Sequence, residues 1–281
     1  MVIVSPSPQS SAMTPSWLDS LLSARVYDLE QPRFRGMPIH PTHLPGYFYA
    51  LHRRHRDTYR PAQQGPRSSA SGVLTMMEHS GTHLDALCHQ ANCLTLFGGI
   101  PTDVAETPTG FTRLGVETVP PLVGRGVLLD VAGWKGQAPL PAAYSIGADD
   151  LAGCATAQGV EVQRGDVLLV RTGYAPLWND EAAYLRAAGV GKTGTLWAAE
   201  RGVVAVGADN MAWDAPDDRD PETGATLFAH AYLLPQKGVY IIENLNLEEL
   251  ARDRRWEFAF IGAPLKFQGA TGSPLRPLAL V

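Results

Sequence analysis

The stretch His79-Ser80-Gly81-Thr82-His83-Leu84-Asp85-Ala86-Leu87-Cys88-His89 gathers three of the chain's eight histidines and one carboxylate. Imidazole nitrogen with carboxylate oxygen is the donor set of borderline divalent ions such as zinc, manganese, iron or nickel, whereas calcium and magnesium favour all-oxygen shells. His79 and His83 stand four apart, as in the helical H-E-x-x-H zinc motif, but Ser80, Gly81 and Thr82 between them are poor residues for a helix interior. The segment therefore reads as strand or tight loop. In an extended chain His83 and Asp85 point to one side, because side chains repeat every two residues, and a turn at Gly81 returns His79 to the same point. One ion then takes all three. His89, four residues further on, is either a fourth ligand or a proton carrier beside the metal. Without an ion, four such donors would cost several kcal/mol of unpaired polar burial.

More donors stand in the last third of the chain. His230 is the only histidine after His89, either a ligand or a packing residue. Glu243 ends the apolar run Val239-Tyr240-Ile241-Ile242, where a charge is rarely left unpaired. Asp209 follows Gly207 at the end of another apolar run, and either faces the site or forms a turn.

These residues need a frame. Trp17 to Arg25 has apolar residues at helical spacing and leads into a strand over Val26 to Leu29. Gln31 to Arg67 is rich in Pro, His, Arg and aromatics and reads as a long irregular arm. Its Phe34, Tyr47, Phe48, Tyr49 and Tyr59 line a pocket or a subunit contact. Val73 to Met77 reads as the strand that delivers the metal motif. Gly126 to Asp130, Val167 to Arg171 and Val203 to Val206 read as buried strands. Helices are expected over Ala148 to Gln158, closed by Gly159, over Glu181 to Ala188 and over Thr195 to Arg201. Such alternation argues for an α/β protein with helices on the faces of a buried sheet. No repeat or composition break divides the chain, so residues 16–281 read as a single domain with its arm over about 31–70, after a flexible leader over residues 1–15.

Composition narrows the partners. The net charge of −5, with no basic block, speaks against nucleic acid and anionic membranes. No apolar run has the length of a membrane span, and the Ser- and Pro-rich start lacks the pattern of a secretory signal. Three cysteines without a close C-x-x-C pair form neither a disulfide framework nor a zinc ribbon, which fits a cytoplasmic protein. Cys88 reads as a small buried residue lining the site.

The metal segment resembles the H-x-G-T-H-x-D-x-P-x-H signature of the cyclase family of metal-dependent hydrolases, which includes bacterial kynurenine formamidase and isatin hydrolase. The resemblance extends through Tyr27-Asp28-Leu29, Gly36-Met37-Pro38, the run from Arg164 to Gly173, Val206-Gly207-Ala208-Asp209 and Ile242-Glu243-Asn244-Leu245. It implies a swivelling β/β/α fold and assembly as a dimer or tetramer. It also implies that His79, His83 and Asp85 hold a first metal, that His230 holds a second, and that Glu243 touches both. Relatives carry two zinc ions or one manganese, so zinc or manganese, as one or two ions, is expected here.

The pattern departs from the family at Leu87, where proline is usual, and at His40, which stands where formamidase-like members have a substrate-contacting aromatic. The long arm departs as well. The expected chemistry is hydrolysis of an amide, lactam or ester bond of a small molecule, with water activated by the metal and His89 as general base. Thr82 is expected to orient a ligand. The competing readings are metal-dependent cyclisation or dehydration of a small hydroxy acid, and a non-catalytic metal-binding protein.

Overall fold

Runs such as Val127-Leu128-Leu129 and Val167-Leu168-Leu169-Val170 are too apolar for a strand with one wet face. In the computed structural model, which describes residues 16–281, they lie at the centre of a sheet covered on both sides. The leader expected over residues 1–15 lies outside the described residues. Of the strands with three or more residues, β1 is Val26–Asp28, β2 Phe48–Arg53, β3 Ser71–Thr75, β4 His83–Asp85, β5 Leu122–Leu129 and β6 Val167–Val170. They continue as β7 Ala205–Ala208, β8 Tyr240–Glu243, β9 Glu257–Gly262, β10 Gly272–Pro274 and β11 Leu278–Leu280.

Nine of them form one sheet in the order β1-β11-β9-β5-β6-β7-β8-β4-β10. β5 to β8 run parallel, with helices Ala148–Gln158 and Lys192–Glu200 in the connections, whereas β4 and β10 add antiparallel at one edge. Alternate residues feed two cores. Val127, Leu129, Leu168 and Val170 join Leu151 and Trp197 of those helices on one face, and Leu128, Val167 and Leu169 join Tyr27, Leu250 and Phe260 on the other. The α/β layering is the one expected.

This register positions the site. Leu84 enters the second core, so its neighbours His83 and Asp85 face the other side of β4. Glu243 on β8 is the direct partner of His83, and Gly272 on β10 is the direct partner of Asp85.

Several expectations need correction. The arm is not irregular along its length: β2 and β3 pair as an antiparallel hairpin, with helical turns His55–Thr58 and Pro61–Gln64 between them. Most of its residues are exposed on both faces, so the alternation that betrays a strand is missing from the sequence. β3 accordingly pairs with β2, and His79 lies in the turn that follows it. The helix at Glu181 ends at Tyr184, because Arg186 and Ala187 close tighter i to i+3 turns. The later helix begins at Lys192, where Thr195 N donates to Gly191 O at 2.9 Å, and the strand expected over Val203 to Val206 lies at Ala205–Ala208. Among the described residues no helix is long and apolar enough to cross a membrane.

Candidate metal centre

Three segments meet over the edge strands. Gly81 adopts a left-handed φ of 65° and turns the chain so that His79 approaches β4. The His79 ring then lies against β10 at Gly272, where an added Cβ would stand 2.6 Å from its Cε1. His230 comes from the short helix Phe228–Tyr232. Asp85, completely buried, lies at the centre, with its Oδ1 2.8 Å from His79 Nδ1 and 3.4 Å from His83 Nε2, and its Oδ2 3.3 Å from His230 Nε2. Glu243 bridges the same rings, at 3.8 Å from His83 Nε2 and 3.3 Å from His230 Nε2. Ligand atoms of His79, His83 and Asp85 lie within 4.8 Å of one another, as do those of Asp85, His89 and His230.

Hydrogen bonds on the outer side of each ring decide what points inward. His83 Nδ1 donates to the carbonyl of Gly81 at 2.8 Å, and His230 Nδ1 donates to Asp214 Oδ2 at 2.8 Å. The Thr271 hydroxyl donates to Glu78, so its oxygen accepts from His79 Nε2, 2.7 Å away. All three outer nitrogens carry protons, which leaves His79 Nδ1, His83 Nε2 and His230 Nε2 facing the buried carboxylates. A lone pair facing an anionic oxygen is repulsive, so these nitrogens need positive charge, as a second proton on the ring or as a cation bound between the ring and the carboxylate. Among the described residues Asp85 Oδ2 has no hydrogen-bond partner although it is shut off from solvent, as expected of a group whose partner is a cation. The donor set of imidazoles and carboxylates suits a borderline divalent ion.

The electrostatics tell the same story. Burial disfavours charge on His83, yet Glu243 and Asp85 outweigh it and raise the ring above its ordinary pKa. Burial is likewise outweighed at His230, where Asp214, Asp85 and Glu243 raise the pKa well above the usual imidazole range. Burial would raise Asp85, but the four surrounding imidazoles hold it well below the ordinary carboxylate value. The pocket is built to hold positive charge. His89 behaves oppositely: burial pushes it down to about 3 against the pull of Asp85, so it is a neutral imidazole at neutral pH. Its ring stacks on His79 with centroids 3.9 Å apart.

Above the cluster is a cavity of about 250 Å³. Besides ligand-cluster residues, its lining includes His40, Thr42 and His43 of the arm and Met211, Ala212 and Leu227. The structure thus brings His79, His83, Asp85, His89, His230 and Glu243 together, with His40 at the rim. It does not bring Asp209 into the cavity. Both Asp209 oxygens are engaged by Thr172 and Gly173, at 2.6–2.8 Å, so this aspartate anchors the turn after β6. Thr82 bonds no ligand: its hydroxyl donates to Asn244 O and accepts from Gln31 N, tying the motif to the residue after Glu243. Cys88 and Leu87 are buried in the two cores rather than lining the cavity. Sequence reading missed His43, Asp214, Thr271 and Glu78. The His40-Pro41-Thr42-His43 pair was a visible signal for the first; nothing local marked the others.

Comparison with known proteins follows the same lines. Residues 27–215 match a family model described as "Putative cyclase". A kynurenine formamidase from Paracidovorax citrulli is 26% identical over 257 residues, covering 89% of this chain and 94% of that protein. Among solved structures, a crystal structure described as a novel cyclase is 30% identical with a TM-score of 0.80, covering 93% of this chain and 91% of that one. Isatin hydrolase A from Ralstonia solanacearum, at 23% identity, shares the fold with a TM-score of 0.70 over 97% of this chain and 100% of that one.

Proposed function

The chain belongs to the cyclase family, and from that membership we propose that it hydrolyses an amide, lactam or ester bond of a small molecule at a divalent metal centre. The observation that carries this reading is the convergence of three imidazole nitrogens, each with its outer N–H engaged, on Asp85 and Glu243. His79, His83 and Asp85 hold a first ion, zinc or manganese. His230 and Glu243 would hold a second where two are bound, with Asp85 and Glu243 near enough to both sets of donors to serve either ion. When bound, such an ion supplies Lewis acidity, polarising a carbonyl and making a water molecule more acidic.

The chain's own residues do the rest. His89, neutral and in reach of the cluster, takes the proton from the attacking water and returns it to the departing nitrogen or oxygen. His79 and His230 are kept in their ligating tautomers by Thr271 and Asp214. Asp214→Asn is therefore expected to weaken zinc binding by roughly 10- to 100-fold, read by competition with a chromophoric chelator. Unchanged affinity would remove His230 from the ligand set.

The reading as a whole is tested by loading the protein with zinc or manganese and assaying isatin, an N-formyl arylamine and a small hydroxy acid. Hydrolysis of the lactam or the formamide, abolished by chelation and restored by metal, is the expected result. Turnover of the hydroxy acid alone would mean elimination or ring closure instead, and metal binding without any turnover would mean a non-catalytic binder.

We read the protein further as a cytoplasmic homo-oligomer, a dimer or tetramer, with residues 16–281 as one domain. An isolated two-stranded hairpin is marginal in water, yet β2 and β3 leave Leu51, Val73 and Leu74 about half exposed. The same arm carries Arg53, Arg54, Arg56, Arg60 and Arg67 against the single Asp57 in a chain that is acidic as a whole. Both features favour docking on another copy, and a monomer in sedimentation would exclude it.

A further inference from the structure

The cavity over the ligand cluster has an uneven supply of polar groups. No lysine or arginine lines it among the described residues, and the carboxylate of Glu243 is turned to the His83 and His230 rings. Away from the cluster, polar contact falls to His40, Thr42, His43 and Gln90. Two of these are engaged with each other: His40 Nδ1 lies 2.7 Å from Thr42 Oγ1 and also accepts from Thr42 N. The Gln90 amide lies 3.5 Å from His89 Nε2.

His43 differs. Among the described residues neither of its ring nitrogens has a hydrogen-bond partner, although the ring itself is held on several sides. It stacks on His79 with centroids 5.0 Å apart and planes 29° from parallel, and stands 6.0 Å from His40 and 6.2 Å from His89. Its backbone is fixed by the 3-10 turn Pro41–His43, where His43 N donates to His40 O at 2.8 Å. A fixed ring with both nitrogens unengaged, at the wall of a pocket, is a preorganised hydrogen-bonding group.

Resting on the hydrolase reading, we infer that His43 is the substrate anchor of this site, hydrogen-bonding an uncharged polar group beside the scissile bond of a neutral amide or lactam. A substrate whose free carboxylate points away from the ligand cluster finds no lysine or arginine in this pocket and would lose its hydration without compensation. Met211, Ala212 and Leu227, which line the same cavity, receive the apolar remainder of the molecule.

The test compares two compounds with the same scissile bond, formanilide and 4-formamidobenzoate, on the zinc-loaded enzyme, with binding followed by calorimetry and turnover by steady-state kinetics. Wild type is expected to favour the neutral compound by about tenfold or more. His43→Phe keeps a ring to stack on His79 and removes both nitrogens. It is expected to weaken formanilide binding roughly tenfold, the scale of a lost hydrogen bond to a buried partner, with zinc content unchanged. His43→Gln, which keeps a donor, is expected to recover part of the loss. Wild-type affinity in His43→Phe, or a preference for the carboxylate compound, overturns the anchor. Loss of zinc from His43→Phe overturns it too, by reducing His43 to a support for His79. Should the wild type neither bind nor cleave either compound while it hydrolyses isatin, the anchor falls and the hydrolase reading stands; turnover of none of the three takes down both.

Discussion

Asp85→Asn is expected to abolish metal binding and, with it, hydrolysis. Asp85 is the group on which every ring of the cluster converges, with one oxygen beside His79 and His83 and the other beside His230. An amide of the same shape removes the negative charge and turns an N–H₂ donor toward at least one inward nitrogen. Losing a residue that merely orients a ligand costs ~10- to 100-fold in metal affinity, and losing this carboxylate should exceed that range. Heat denaturation offers a readout independent of turnover. Zinc at a hundred times its dissociation constant should stabilise the wild type by about 2.7 kcal/mol, and should leave the variant's melting temperature where it was. The variant also loses the carboxylate that the surrounding imidazoles hold ionised, so its apo melting temperature is compared with that of the apo wild type before zinc is added. Full zinc content in Asp85→Asn by elemental analysis would defeat the assignment.

His89→Ala should do the opposite: keep the metal and lose the rate. Its ring stands against His79, with a ring nitrogen in the same cluster of donors as Asp85 and His230, and burial keeps it unprotonated at neutral pH. Removing a general base of this kind costs on the order of 10²- to 10⁴-fold in turnover. The geometry also offers a sharper outcome, since His89 shares a possible ligand set with Asp85 and His230. A variant that loses one equivalent of metal together with its activity would make His89 a ligand. One that keeps both metal and activity would leave it no part in the chemistry.

Much of the His79, His83 and Asp85 cluster was legible in the sequence because its logic is local. The two-residue repeat puts His83 and Asp85 on one side of β4, and the φ of 65° at Gly81 supplies the turn that its lack of a side chain allows. The helix Ala148–Gln158 was legible for the same reason, down to its closure at a left-handed Gly159. The hairpin of the arm was not, because strands exposed on both faces carry no alternation. Asp209 stayed open between two readings for a related reason: an aspartate at the end of a buried strand looks the same in sequence whether it faces a ligand or holds the turn of the neighbouring strand, as it does here.

Taken alone, then, the sequence determined the donor chemistry, the conformation of the motif and the α/β alternation, all of which depend on neighbours a few residues apart. Only the tertiary structure decided that Glu243 stands opposite His83, that Asp214 and Thr271 choose the tautomers of His230 and His79, and that His43 lies over the cluster. Those relations depend on strand register and on segments far apart in the chain. A shift of one residue in that register would turn Glu243 to the opposite face while leaving every local pattern unchanged.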